Sequence, residues 1–176
     1  MPFIIFVFGT IIGSFLNVLI WRLPKEERIT GRSHCVHCGH LLSQWELVPI
    51  LSYIFLGGKC RWCRKKISPR YFVIELISGL LFVWAWYFVL PVSTANWTML
   101  ARDWFLLSIF LVVFTIDLEH YLILDNIIFP ALVVVTILNL ALDILSKQQI
   151  LSIHSLLLSS ILGAGVAAAP FFILWF

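Results

Sequence analysis

Four cysteines stand in two Cys-x-x-Cys pairs, Cys35-Val-His-Cys38 and Cys60-Arg-Trp-Cys63, separated by 21 residues. Two such pairs can converge four thiolates on one tetrahedral Zn²⁺, each pair closing a tight turn whose backbone amides support the sulfurs. A second group, Asp117, Glu119, His120 and Asp125, falls within nine residues flanked by apolar runs. Carboxylates there could do aspartyl chemistry, which needs two of them close enough to share a proton, one acting on water and the other on the scissile carbonyl. In one continuous helix Asp117 and Asp125 would stand about 12 Å apart along the axis, so pairing them requires a turn. Asp125, followed by Asn126 and an apolar run, reads as a helix N-cap. Asp117 is therefore the candidate catalytic carboxylate.

The elements that must hold these groups are set by composition. With 61% hydrophobic and 12% charged residues and mean hydropathy +1.02, 176 residues carry more apolar surface than one small core can hide. The reading is an all-α, polytopic transmembrane helical bundle with a small zinc-binding module. Residues 2–21 form a first span of sufficient length to cross a bilayer. Further spans are expected at 71–90, from about 103 to 116, at 127–145 and from about 153 to 176, with external loops at 92–102 and 146–149. All Lys and Arg except Arg102 and Lys147 lie between Arg22 and Arg70, which places that stretch in the cytoplasm by the positive-inside rule. A reducing compartment favours metal over disulfides for its cysteines. Three parts result: 1–22 as first span, 23–70 as a cytoplasmic four-cysteine zinc module, and 71–176 as the remaining spans carrying Asp117.

Other polar and special residues have structural readings. Gly9 and Gly13 form a small-xxx-small pair for close helix approach, and Asn17 is expected to hydrogen-bond to a neighbouring helix. Glu75, one turn inside the second span, is expected to pair with Arg70 or Lys66. His34, His37 and His40 surround the first cysteine pair, but four thiolates already complete a tetrahedron. Residues 45–56 form an apolar insert interrupted by Pro49, suited to lie along the membrane surface or on the bundle. The run Arg61, Arg64, Lys65, Lys66, Arg70 suits anionic lipid headgroups rather than nucleic acid. In the fifth span, 163–169 is a packing face, Pro170 a kink and His154 interfacial.

Gly13-Ser-Phe-Leu-Asn17-Val-Leu-Ile-Trp-Arg22-Leu-Pro24, the double Cys-x-x-Cys with Trp45-Glu46 and Pro49 between, Ile67-Ser-Pro-Arg70-Tyr71 leading to Glu75, and Asp117-Leu-Glu119 together resemble the type IV prepilin peptidases. The resemblance implies a multi-pass inner-membrane aspartyl protease that cuts the basic leader from prepilins and pseudopilins at the cytoplasmic face. It also implies N-methylation of the new N-terminus with S-adenosyl-L-methionine, for which Asn17, Glu46 and Glu75 are the candidate binding residues. Asp117 falls on the first catalytic aspartate, and Cys35, Cys38, Cys60 and Cys63 on the structural zinc ligands. Two departures stand out. The family's Pro-Asp is Leu124-Asp125 here, and no Gly-x-Gly-Asp motif supplies a second catalytic aspartate, since Gly163-Ala-Gly165 precedes Val166. The chain is accordingly expected to be a truncated form, inactive alone as a protease. The rival expectations are a zinc-stabilised membrane scaffold without catalysis and a methyltransferase-only fragment. Oligomeric state and pilin identity are not legible.

Overall fold

The computed structural model describes residues 1–90, 94–122, 124–145 and 158–163. Those residues form α1 (Pro2–Arg22), a short α2 (Leu51–Phe55), α3 (Arg70–Val89), α4 (Thr94–His120) and α5 (Asp125–Leu145). Among the described residues there is no strand, only isolated bridges at His34–Leu41 and Lys59–Lys66. Four helices, α1, α3, α4 and α5, are long and apolar enough to cross a membrane. Their outward residues, such as Phe8, Ile11, Leu80, Phe110 and Leu132, are exposed. A helix apolar on all sides that leaves such residues uncovered requires lipid around it. The chain is a multi-pass membrane protein.

The closest packing joins α1 to α3. A Cβ at Gly13 would lie 2.8 Å from Glu75 Cα, and one at Gly9 would lie 2.9 Å from Gly79 Cα. Only missing side chains allow backbones that near, which is the approach expected of Gly9 and Gly13. Ser78 Oγ uses it to donate to the Gly9 carbonyl at 2.8 Å. Toward the Arg22 end of α1, Leu16, Ile20, Ile74, Leu111, Val112, Ile116 and Ile127 form the buried apolar cluster. This cluster brings α4 and α5 against the α1–α3 pair and so fixes the bundle end from which the cysteine segment hangs.

Two boundaries differ from the sequence expectation. The expected loop 92–102 and the third span from 103 are replaced by a helix already running at Thr94, with the membrane-length stretch Asn96–His120. Charge at Arg102 and Asp103 suggests a loop, but the two pair with each other at 2.7 Å. Arg102 also donates to Asn139 Oδ1 at 3.3 Å, so the helix carries the charges in a mutually satisfied cluster. Asn139 in turn donates to Ser160 Oγ at 3.1 Å. The loop 146–149, the fifth span at 153–176, the small-residue face after Gly163, Pro170 and His154 lie outside the described residues, apart from the helical stretch 158–163.

Candidate metal centre and interfacial cavity

The two cysteine pairs fold into matching knuckles. In the first, the Cys35 amide donates to the His40 carbonyl and the Gly39 amide to the Cys35 carbonyl, both at 2.9 Å. In the second, the Cys60 amide donates to the Lys65 carbonyl at 2.9 Å and the Arg64 amide to the Cys60 carbonyl at 3.0 Å. Each turn needs a left-handed residue after its second cysteine. Gly39 takes φ +69° without strain, whereas Arg64 takes φ +59° despite its Cβ. The His40 and Trp62 rings, one from each knuckle, meet with centroids 4.2 Å apart.

The four Sγ atoms lie within 4.8 Å of one another. A tetrahedron with Zn–S bonds of about 2.3 Å has S···S edges of about 3.8 Å, and Cys35 Sγ to Cys63 Sγ is 3.9 Å. Burial opposes a Cys35 thiolate, but hydrogen bonds from the His37 and Cys38 amides and neighbouring thiols draw that group down to about 7. Although the His40 amide favours its thiolate, desolvation and the neighbouring thiols push Cys38 up to about 11. Four clustered thiols cannot all ionise unless a cation shares the site, so the donor set fits a dication such as zinc. His34 and His37 are exposed, and the His40 ring meets Trp62 at a tilt of 39°.

Several ties fasten this segment to the bundle. Arg22, 7% exposed, aims its guanidinium into the loop that follows. Its Nη1 donates to the carbonyls of Arg28, Ile29 and Thr30 at 3.1, 2.8 and 3.2 Å, and Nη2 to that of Arg32 at 3.3 Å. By sequence Arg22 is only an interfacial anchor, since nothing local announces that its partners are carbonyls. Ser43 and Glu46 form a capping box, with Glu46 Oε2 accepting from the Ser43 amide at 2.9 Å and its hydroxyl at 2.8 Å. Those bonds, the amide first, hold Glu46 below the usual carboxylate range.

The apolar insert forms a 3₁₀ turn, Gln44–Leu47, and α2. Its inner side packs on the bundle, with Tyr53 against Phe72 at 5.5 Å between centroids. Trp45 and Phe55, each 83% exposed, point away from the protein. The chain turns between these pieces at Ile50, with φ +63° and ψ −54°. There the Leu51 amide donates to the Pro49 carbonyl at 2.6 Å, closing a γ-turn of the rare, strained kind.

The strained Ile50 amide donates to Glu75 Oε2 at 2.7 Å. This corrects the expected pairing of Glu75 with Arg70 or Lys66. Arg70 instead binds Glu119 at the end of α4, through Nη1 and Oε2. A carboxylate projecting from a buried helix face reaches what is packed on that face, and for Glu75, 8% exposed, that is the insert. Asn17 forms the expected interhelical bond, Nδ2 donating to the Tyr71 carbonyl at 3.0 Å.

Between the knuckles, the insert and the ends of α1, α3 and α4 lies a cavity of about 810 Å³. All three candidate donor-binding residues, Asn17, Glu46 and Glu75, line it, with Trp21, Tyr71 and Glu119. Ligand pockets commonly measure about 300–1,000 Å³. Asp117 is not on that wall; it is exposed in the last turn of α4, two residues before Glu119. After it the helix unwinds at Tyr121, φ +54°, whose amide donates to the Asp117 carbonyl at 2.8 Å. Asp117 and Asp125 therefore do not share one continuous helix. Asp125 itself is the first residue of α5 and not the expected cap preceding it. An acid in that first turn still complements the helix dipole.

Residues 7–89 match the model of the bacterial peptidase A24 N-terminal domain. The chain is 39% identical over 121 residues to a prepilin leader peptidase/N-methyltransferase of Myxococcus xanthus, covering 68% of this chain and 34% of that protein. It is 34% identical over 158 residues to that of Stutzerimonas stutzeri, covering 76% of this chain and 53% of the relative. A type 4 prepilin-like proteins leader peptide-processing enzyme of Escherichia coli O78:H11 is 37% identical over 140 residues, with 68% of this chain and half of that protein covered. The aligned regions cover between a third and about half of these curated relatives. No solved structure matches the chain.

Proposed function

We propose that this chain, a relative of the prepilin leader peptidase/N-methyltransferases, serves an inner-membrane enzyme that removes the basic leader of prepilins and pseudopilins at the cytoplasmic face and methylates the new N-terminus. Asp117 is the first catalytic carboxylate. It shares a proton with a second one, from a Gly-x-Gly-Asp motif that these 176 residues do not contain, and together they activate water on the scissile carbonyl. A prepilin's apolar helix enters from the bilayer while its leader stays in cytoplasm, which brings the bond to the end of α4.

The observation that carries this reading is the Arg70–Glu119 ion pair. It ties the N-terminus of α3, where the cysteine segment ends, to the last turn of α4 two residues beyond Asp117. A module whose chemistry is metal binding is thereby held beside a carboxylate suited to peptide cleavage. Zinc in this role is structural, because four thiolates leave no open coordination position. S-adenosyl-L-methionine, when bound, would supply an electrophilic sulfonium methyl group to the new amine, and Asn17, Glu46 and Glu75, which line the cavity, would be the residues that hold it. Trp45 and Phe55 rest in the lipid interface, beside the basic run that meets anionic headgroups.

The test is Asp117→Asn in the full-length protein. Leader cleavage in reconstituted membranes is expected to fall by at least about a thousandfold while insertion and zinc content stay normal. Cleavage within a few-fold of wild type would remove Asp117 from the mechanism.

A further inference from the structure

The two knuckles share one backbone pattern but not one surface. Their hydrogen bonds correspond, so that Gly39 and His40 of the first stand where Arg64 and Lys65 stand in the second, and His37 where Trp62 stands. The turn itself therefore requires neither the cations nor the tryptophan. Arg64 nevertheless occupies φ +59°, the position that glycine fills in the first knuckle. A left-handed residue bearing a Cβ is strained, and strain of this kind recurs at ligand clamps. Arg64 and Lys65 are exposed, and neither has an ion pair among the described residues. Lys59, Arg61 and Lys66 line the interfacial cavity, whereas Arg64 and Lys65 do not.

The tip of the second knuckle thus presents cations without protein partners beside an indole. Trp62 is 62% exposed in spite of its contact with His40. Chain length limits where this tip can reach. Arg64 precedes Arg70, the first residue of α3, by six positions, and so lies within about 20 Å of the membrane-length stretch Pro69–Val89. The same module turns Phe55 outward, 83% exposed. An anionic bilayer surface offers phosphate to the cations and an apolar layer beneath for the aromatic rings. A nucleic acid offers phosphate without that layer, and its charge has the same sign as the lipid beside it.

We propose that the tip of the second knuckle, through Trp62, Arg64 and Lys65, is a docking site for the headgroup of an anionic phospholipid. Arg64 and Lys65 meet the phosphodiester, and Trp62 lies at headgroup depth. The site rests on the reading above that sets the insert and the basic run at the lipid interface. It singles out one knuckle, and within it the strained Arg64, as the contact that gives preference for anionic over zwitterionic lipid.

The experiment titrates phosphatidylglycerol, and separately phosphatidylcholine, into the zinc-loaded protein in neutral detergent and follows the bound lipid by native mass spectrometry. Wild type is expected to bind phosphatidylglycerol at least about fivefold more tightly. Arg64→Gly is expected to weaken phosphatidylglycerol about fivefold, the share of one cation near an anionic surface, and to leave phosphatidylcholine within about twofold. Its zinc affinity, read by competition with a chelating dye, is expected to equal or exceed that of wild type, because glycine takes this backbone conformation freely. Lys65→Gln, whose backbone carbonyl still accepts from Cys60, is expected to give the same loss and carries the test if Arg64→Gly fails to fold. Arg28→Gln removes an exposed cation elsewhere and is expected to bind both lipids within about twofold of wild type. Equal binding of the two lipids by wild type, or equal losses in Arg28→Gln and Arg64→Gly, would overturn the site. Displacement of phosphatidylglycerol by an equal concentration of inorganic phosphate, or tighter binding of a short RNA, would overturn the lipid as its partner. The role of Asp117 stands or falls on leader cleavage, which none of these measurements uses.

Discussion

Glu75, buried in α3, accepts the backbone N–H of Ile50 at 2.7 Å across 25 residues of chain. The bond joins a membrane helix to the strained turn of the apolar insert. Glu75→Leu would strand that amide and destabilise the insert by about 1–3 kcal/mol. Glu75→Gln, whose side-chain carbonyl can still accept, should retain most of the tie. Hydrogen exchange at the Ile50 amide checks this, with fast exchange expected in the Leu variant alone. Ile50→Gly, freed of its Cβ penalty at φ +63°, is expected to tolerate the turn at least as well as wild type.

Gly13 faces Glu75 Cα so closely that any side chain must push α1 and α3 apart. Gly13→Leu is expected to destabilise the helix pair by roughly 1–3 kcal/mol or more through overpacking. Gly163→Ala serves as the comparison, since no described residue lies within 4 Å of a notional Cβ there. Denaturation in mixed micelles would distinguish the two, and equal tolerance at Gly13 would contradict the close packing.

Removal of zinc with a strong chelator should unfold the two knuckles, because their metal-binding energy is also folding energy. Wild type is expected to bind one zinc per chain and Cys60→Ser to lose most of that affinity. The His40–Trp62 contact supplies the readout, as chelation should shift Trp62 emission while the helical signal of the spans persists.

Arg22 satisfies four carbonyls of residues 28–32 at once. Lysine keeps the charge but cannot fan its donors in that plane. Arg22→Lys should therefore raise the rate of limited proteolysis between Arg28 and Arg32 several-fold. An unchanged cleavage rate would mean the loop is held by other contacts.

The capping box at Ser43 and Glu46 carries a pH signature. Glu46 is held below its ordinary carboxylate value by the Ser43 amide and hydroxyl, so it contributes stability above the unfolded-state pKa and loses it as pH falls through the lowered folded value. The 3₁₀ turn Gln44–Leu47 should stay closed at neutral pH and fray on acidification. Glu46→Gln is expected to remove the pH dependence, and Trp45 fluorescence in an acid titration reports both.

Helical class, the approach of Gly9 and Gly13 to a partner helix, the shared site of the four cysteines and the Asn17 interhelical bond are all legible in the sequence. Each depends on residue type at short spacing or on a general need of lipid-embedded groups. The start of α4 is not, because Arg102 and Asp103 look like loop residues until their mutual pairing and Asn139 are seen. Asp125 differs from its expected place by one position, cap against first turn, which sequence pattern does not separate.

By itself the sequence determined that the chain is a membrane bundle with a thiolate cluster near its charged end, since hydropathy, span length and Cys-x-x-Cys spacing are one-dimensional quantities. Tertiary structure decided which charge meets which. Glu75 has Arg70 and Lys66 nearby in sequence yet bonds Ile50, and Arg70 reaches Glu119 across 49 residues. Those choices depend on which faces pack, and pairing across 25 and 49 residues of chain is not written in local sequence.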